Sequence, residues 1–196
     1  IMTRSASISR TTGETSIDLS VDLDGTGSYT IATGVGFFDH MLTALARHAL
    51  IDMDIHAEGD IWVDDHHTVE DTGIALGQAL HAALGDCAGI RRFGHAIVPL
   101  DEALVLASVD ISGRGALFWD VPIEPMKVGT FDTELAQEFF AGFAREAGIT
   151  LHLRKLAGSN AHHIIEACFK SCARALRAAC EEDPRVSGIP STKGVL

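Results

Sequence analysis

Laid on itself at an offset of about 90 to 100 residues, the chain repeats in several blocks that keep the same order, so both halves are expected to fold alike. The segment ETSIDLSVDLDGTG, from Glu14 to Gly27, lines up with EALVLASVDISGRG, from Glu102 to Gly115. Both alternate polar and apolar residues and end on Gly-x-Gly, the pattern of a half-buried strand entering a tight turn. HMLTALARHALIDMDI, from His40, lines up with EFFAGFAREAGITLHL, from Glu138, each a helical pattern followed by a strand. HHTVEDTGIALGQALHAAL, from His66, lines up with HHIIEACFKSCARALRAAC, from His162, both amphipathic helices. Each half therefore reads as strand, strand, helix, strand, helix, which predicts an α+β protein with helices packed on mostly antiparallel sheet. The boundaries are 1–90 for the first half-repeat and 91–196 for the second, which carries a C-terminal tail; together they form one unit.

The strongest coincidence between the halves falls on polar residues, which packing alone does not demand. His-His-x-x-Glu occurs at His66, His67 and Glu70 and again at His162, His163 and Glu166. Residues four apart share a helix face, so His66 with Glu70, and His162 with Glu166, can aim at one ion. The adjacent His67 and His163 are turned by about 100° and reach a second ion or another subunit. Imidazole and carboxylate without thiolate favour manganese, iron, nickel or zinc over calcium or magnesium. His40, in GFFDHML, is either a further ligand or a helix-start histidine paired with Asp39, and the repeat sets Glu138 opposite it. Glu14 and Glu102 occupy equivalent strand positions, where each is either a proton-transfer carboxylate beside a metal or a solvated edge residue. His48, His56 and His81 read as ordinary core or surface histidines.

A formal charge of −12 argues against a nucleic-acid partner, because binding a phosphate backbone needs a concentrated basic face. Arg92, Arg114, Lys170 and Lys193 can still gather around a small anion, the arginines as planar forks and the lysines as point charges. With 46% hydrophobic and 21% charged residues, disorder is excluded. No window is apolar enough for a membrane span, and IMTRSASISR has no apolar run behind its arginines, so a cytoplasmic location is expected. The four cysteines, Cys87, Cys168, Cys172 and Cys180, contain no CxxC pair and read as buried thiols.

These motifs carry a resemblance. GVGFFDHMLTALARHA, DDHHTVEDTGIALGQAL, GIRRFGHA, VDISGRG, GITLHLRKLAGSNAHHIIEACFK and DPRVSGIPSTKG, in this order along almost the whole chain, resemble the imidazoleglycerol-phosphate dehydratase family of histidine biosynthesis. The resemblance implies a lyase that converts D-erythro-imidazole glycerol phosphate to imidazole acetol phosphate and water. It implies a duplicated fold similar to domain 2 of ribosomal protein S5, two manganese ions per active site, and a homo-oligomer of twenty-four subunits with active sites at subunit contacts. The metal ligands it implies are His40, His66, His67, Glu70, His162, His163 and Glu166, with Glu70 and Glu166 also counted in the catalytic set. It implies Arg92 and Arg114 for phosphate, Lys170, Ser191 and Lys193 on the substrate side, and Glu14 for proton transfer. One position departs from the pattern: many members have a histidine before the Phe-Phe pair, where this chain has Glu138. A carboxylate also ligates manganese, so Glu138 stands as an open ligand position. His152, on the strand TLHL, is a candidate replacement for that histidine, and the favoured reading gives it a structural role or one behind the ligands.

The expected chemistry is loss of the C3 hydroxyl, driven by an imidazolate ring bound to two metals, followed by removal of the C2 proton by Glu14 and tautomerisation to the ketone. Two other readings share the metal cluster. One is a di-metal hydrolase of a small phosphate ester, which would release inorganic phosphate; the other is a non-catalytic metal-binding assembly, which would turn nothing over.

Overall fold

The computed structural model describes residues 4–196; residues 1–3, part of the segment read as lacking a leader, lie outside them. The first half runs β1 (Ser5–Thr11), β2 (Thr15–Asp22), β3 (Tyr29–Ala32), α1 (Gly36–Ala49), β4 (Asp52–Gly59) and α2 (His66–Leu84). The second half repeats this as β5 (Phe93–Leu100), β6 (Ala103–Asp110), β7 (Ala116–Asp120), α3 (Leu135–Ala147), β10 (Thr150–Ala157) and α4 (Ala161–Cys180). A two-stranded insertion, β8 (Lys127–Val128) with β9 (Phe131–Asp132), precedes α3. The two main sheets have matching orders, β1-β2-β4-β3 and β5-β6-β10-β7. In each, two junctions are antiparallel and the third, β3 with β4 or β7 with β10, is parallel. The α+β expectation holds, with one correction: each half has a third strand before its first helix. These strands are short and have no clean alternation, since β3 buries none of its residues fully, so the period-2 signal that marked β2 and β6 is absent.

Both sheets show one face to solvent and one to the helices, as the burial of β2 at Ile17, Leu19 and Val21 and of β6 at Val105, Ala107 and Val109 requires. Helix α2 lies on β1 and β2 and α4 on β5 and β6, while α1 and α3 meet β3 and β7 respectively. The helices then pair across the repeat, α1 with α4 and α2 with α3. This leaves the helices as inner layers between two sheets. Phe139 at their centre stacks on Phe143 and on Phe169, with ring centroids 5.9 and 5.0 Å apart. Helices α2 and α3 approach to backbone contact because α2 carries glycine at two positions one turn apart. A Cβ on Gly73 would stand 2.7 Å from the Phe139 carbonyl oxygen, and one on Gly77 2.6 Å from that of Phe143.

The first helix of each half ends on a left-handed residue at the same point of the repeat, Leu50 (φ 54°) in one and Gly148 (φ 68°) in the other. Each cap N–H returns to the last turn, which lets the chain reverse directly into β4 or β10.

The cysteines are all free, with Cys168, Cys172 and Cys180 buried in α4 and Cys87 partly exposed. Burial raises all three helix thiols above the ordinary range, Cys180 to about 12. Because the thiolate is the reactive form, a disulfide-exchange reagent should modify only Cys87 rapidly in the native protein and all four thiols in denaturant. Rapid labelling of Cys168 or Cys172 without unfolding, read by mass spectrometry, would contradict this packing.

Candidate functional site

The doubled helices start under local control. Asn160 caps α4 by accepting from the His163 N–H at 3.1 Å, and the Asp64 carboxylate accepts from the His66 N–H at 2.9 Å. The two motifs therefore sit in the opening turns of α2 and α4, beside the opening turns of their partners α3 and α1.

Cross-repeat pairing decides which side chains meet. His40, in the second turn of α1, extends to α4, where its Nε2 lies 3.2 Å from Glu166 Oε2. His162 Nε2 lies 3.0 Å from the same oxygen. Among the described residues, these three form the one group of metal-ligating side chains whose donor atoms all lie within 4.8 Å of one another. His40 is not paired with Asp39: that carboxylate accepts from the N–H and hydroxyl of Thr33 at 2.9 and 2.5 Å, fixing the start of α1. Glu166 is 8% exposed, and its second oxygen accepts from Lys170 Nζ at 2.7 Å. Burial is the largest influence on the Glu166 carboxyl and pushes it up. The Lys170 ammonium, His162 and His40 together outweigh burial and hold it below the usual carboxylate range.

The related set is more open. His66 Nε2 and Glu70 Oε2 are 3.4 Å apart on α2, while Glu138 is half-buried on α3 and outside the close group. His67 and His163 turn away from both sets, toward the sheets. His67 Nδ1 bonds Asp60 at 2.9 Å, and its Nε2 lies 3.6 Å from Glu14 Oε2. His163 Nδ1 bonds Glu102 at 2.8 Å. These carboxylates raise both imidazoles above their ordinary range, chiefly through the hydrogen bonds that Asp60 and Glu102 accept from them.

The basic residues form a second locus. Arg92, held at a left-handed φ of 72°, grips Asp110 through Nε at 2.7 Å and Nη2 at 3.3 Å, and donates from Nη1 to the Pro190 carbonyl at 3.0 Å. Arg114 Nη2 lies 3.9 Å from the same Asp110, and the Ser191 hydroxyl accepts from the Lys193 N–H at 3.1 Å. Arg92, Arg114, Ser191 and Lys193 are thus gathered around one carboxylate and the C-terminal turns, whereas Lys170 belongs with Glu166. The Arg92 N–H is bonded to the Ala179 carbonyl, near the far end of α4 from Glu166. At about 1.5 Å of rise per residue, the two loci are roughly 20 Å apart along that helix. His152 lies elsewhere, stacked on Phe118 with ring centroids 4.4 Å apart on the outer face of the second sheet.

Three contributors were not singled out from the sequence. Asp60 follows β4 and meets His67, seven residues on, across a loop and not along one helix or strand, so periodicity does not pair them. Phe131, in the inserted hairpin, packs on Phe37 at 5.1 Å, and Phe37 meets the His162 ring edge-on at 5.1 Å. Asp110 ends β6 in VDISGRG, and its position four residues before Arg114 was the available signal.

The imidazoleglycerol-phosphate dehydratase family pattern matches residues 33–176. An imidazoleglycerol-phosphate dehydratase from Granulibacter bethesdensis is 65% identical over 196 residues, covering 100% of both chains. One from Acidiphilium cryptum is 62% identical over 196 residues with the same complete coverage. The crystal structure of the Staphylococcus aureus enzyme superposes with a TM-score of 0.83 at 40% identity, covering 91% of this chain and 99% of that one. That of the Pyrococcus furiosus enzyme gives 0.83 at 44% identity, covering 96% and 100%. Fold, motif order and full-length similarity agree, and the chain belongs to the imidazoleglycerol-phosphate dehydratase family.

Proposed function

We propose that the chain removes water from D-erythro-imidazole glycerol phosphate to leave imidazole acetol phosphate, a step of histidine biosynthesis, using two manganese ions. The observation that carries this reading is the meeting of His40 with His162 and Glu166 in a chain of this family. Two imidazole nitrogens and a buried carboxylate without thiolate are a donor set that suits manganese. His40, His162 and Glu166 would hold one ion and His66 and Glu70 the other, with Glu138 beside the second, while His67 and His163, turned away from both groups, would complete ligand sets at a neighbouring subunit. When bound, the metals supply positive charge that stabilises the negative charge developing on the substrate ring.

The chain's own residues do the rest. Lys170 occupies Glu166 Oε1, so that Oε2 stays turned to the histidines. Glu14 Oε2 stands at the outer nitrogen of His67 and is the group we assign to take the C2 proton. Arg92, Arg114, Ser191 and Lys193 hold the phosphate, converting affinity for a non-reacting group into alignment of the reacting carbons. A substrate in which three carbons join an imidazole ring to a phosphate is too short to span the roughly 20 Å of α4 between Glu166 and Arg92 in one subunit. That separation supports active sites shared between subunits of a homo-oligomer, for which we retain the twenty-four-subunit particle, with 1–90 and 91–196 acting as one catalytic unit. No helix among the described residues is long and apolar enough to cross a membrane, and we assign the enzyme to the cytoplasm.

Turnover of imidazoleglycerol phosphate by metal-stripped protein should be absent, and manganese should restore it while magnesium should not. The product should be a ketone that retains its phosphate. Release of inorganic phosphate would favour the hydrolase reading, metal binding without turnover the non-catalytic one, and full activity without metal would overturn the manganese assignment.

A further inference from the structure

The two histidines that turn toward the sheets are held by carboxylates from non-equivalent places in the repeat. In the second half the acceptor for His163 Nδ1 is Glu102, the residue before β6, at 2.8 Å. Glu102 is itself fixed, because its other oxygen accepts from the N–H groups of Ser159 and Asn160 at 3.3 and 2.8 Å. The repeat pairs Glu102 with Glu14, yet Glu14 does not do this for His67. Its Oε2 lies 3.6 Å from Nε2, the opposite nitrogen, and the side chain is 54% exposed. Nδ1 of His67 is taken by Asp60, through both carboxylate oxygens at 3.1 and 2.9 Å.

Asp60 follows β4 where Gly158 follows β10. At Gly158 no side chain can stand: φ is 126°, and a Cβ would lie 2.8 Å from Ala103 Cα. The second half therefore draws its acceptor from Glu102. The first half has room for Asp60, whose N–H also bonds the Glu14 carbonyl at 3.1 Å. A neutral imidazole carries one N–H, and a carboxylate at Nδ1 keeps that proton there, presenting the Nε2 lone pair outward and fixing the plane of the ring.

We infer that Asp60 and Glu102 are the positioning residues that orient His67 and His163 for cation binding through Nε2, and that Asp60 thereby releases Glu14 from the role its repeat partner keeps. This rests on the reading of His67 and His163 as metal ligands. It sets the structure against the repeat: by alignment Glu14 and Glu102 should behave alike, whereas by geometry Asp60 and Glu102 should.

Manganese titration of the metal-stripped full chain, with unbound ion read by electron paramagnetic resonance and folding by circular dichroism, separates the two. Asp60→Ala and Glu102→Ala should each weaken manganese binding by about 10- to 100-fold, the usual cost of losing a ligand's hydrogen-bond partner. Asp60→Asn should recover most of that loss, since an amide oxygen still accepts from Nδ1–H. Glu14→Gln should bind manganese as the unmodified protein does. Glu102 lies at the surface, so Glu102→Ala is expected to fold even if Asp60→Ala does not. Unchanged affinity in folded Glu102→Ala, or a loss in Glu14→Gln equal to that in Asp60→Ala, would overturn the inference while leaving the metal reading intact. Failure of the unmodified protein to bind manganese would overturn both.

Discussion

Glu166→Gln should lower turnover of imidazoleglycerol phosphate by about a thousandfold or more, since a bound metal contributes several kcal/mol of transition-state stabilisation and each 1.36 kcal/mol is a factor of ten. The side chain is the shared member of its cluster: one oxygen lies 3.2 Å from His40 Nε2 and 3.0 Å from His162 Nε2, and the other accepts from Lys170. Glutamine keeps the volume but removes the charge. If its NH2 faces Lys170, two donors meet; if it faces the histidines, the metal loses its anionic oxygen. Either orientation weakens the site, so manganese content should fall together with kcat. The helix should survive, because the apolar face of α4 at Ile164, Ile165, Cys168 and Phe169 is untouched. His81→Ala, on the last turn of α2, is the matched control and should turn over normally. Steady-state rates and elemental analysis check both variants, and a Glu166→Gln protein with full manganese and near-normal rate would remove this cluster from the chemistry.

How much of this was legible beforehand divides by physical cause. Helices α2 and α4 and the pairing of each first histidine with its glutamate follow from the 3.6-residue period, because residues four apart share a face whatever surrounds the helix. Periodicity carries no information about which helix packs against which. The repeat could set Glu138 opposite His40, but not reveal that α1 crosses to α4, so that His40 joins the cluster of the other half. Strands β3 and β7 escaped because each is held by a parallel neighbour and not by a face that alternates cleanly. The hairpin β8–β9 escaped for lack of a counterpart in the first half, yet its Thr130 hydroxyl donates to Asp65 at 2.8 Å, just before His66. The basic residues were found by type and their gathering was not. Asp110, which draws Arg92 and Arg114 together, read as one more polar residue of an alternating strand.

Glu14→Gln should cost two to four orders of magnitude in kcat, the usual contribution of a positioned acid or base, with manganese content and KM nearly unchanged. The contrast with Glu166 is one of position. Glu14 is half-exposed at the edge of the site, joined to it by the 3.6 Å approach of Oε2 to His67 Nε2, while Asp60 holds the opposite nitrogen. An amide at this position cannot take a proton from carbon, but it fills the same space and leaves the Asp60–His67 bond in place. The defect should therefore lie in proton transfer and not in assembly of the ligands. Substrate carrying deuterium at C2, incubated in ordinary water, follows the step directly: if Glu14 removes the C2 proton, release of the label to solvent should slow in the variant together with turnover. A variant that loses manganese along with activity would make Glu14 a ligand. One that keeps both would return it to the solvated edge-strand residue that its alternating pattern also allows, and the proton would have to leave by another carboxylate.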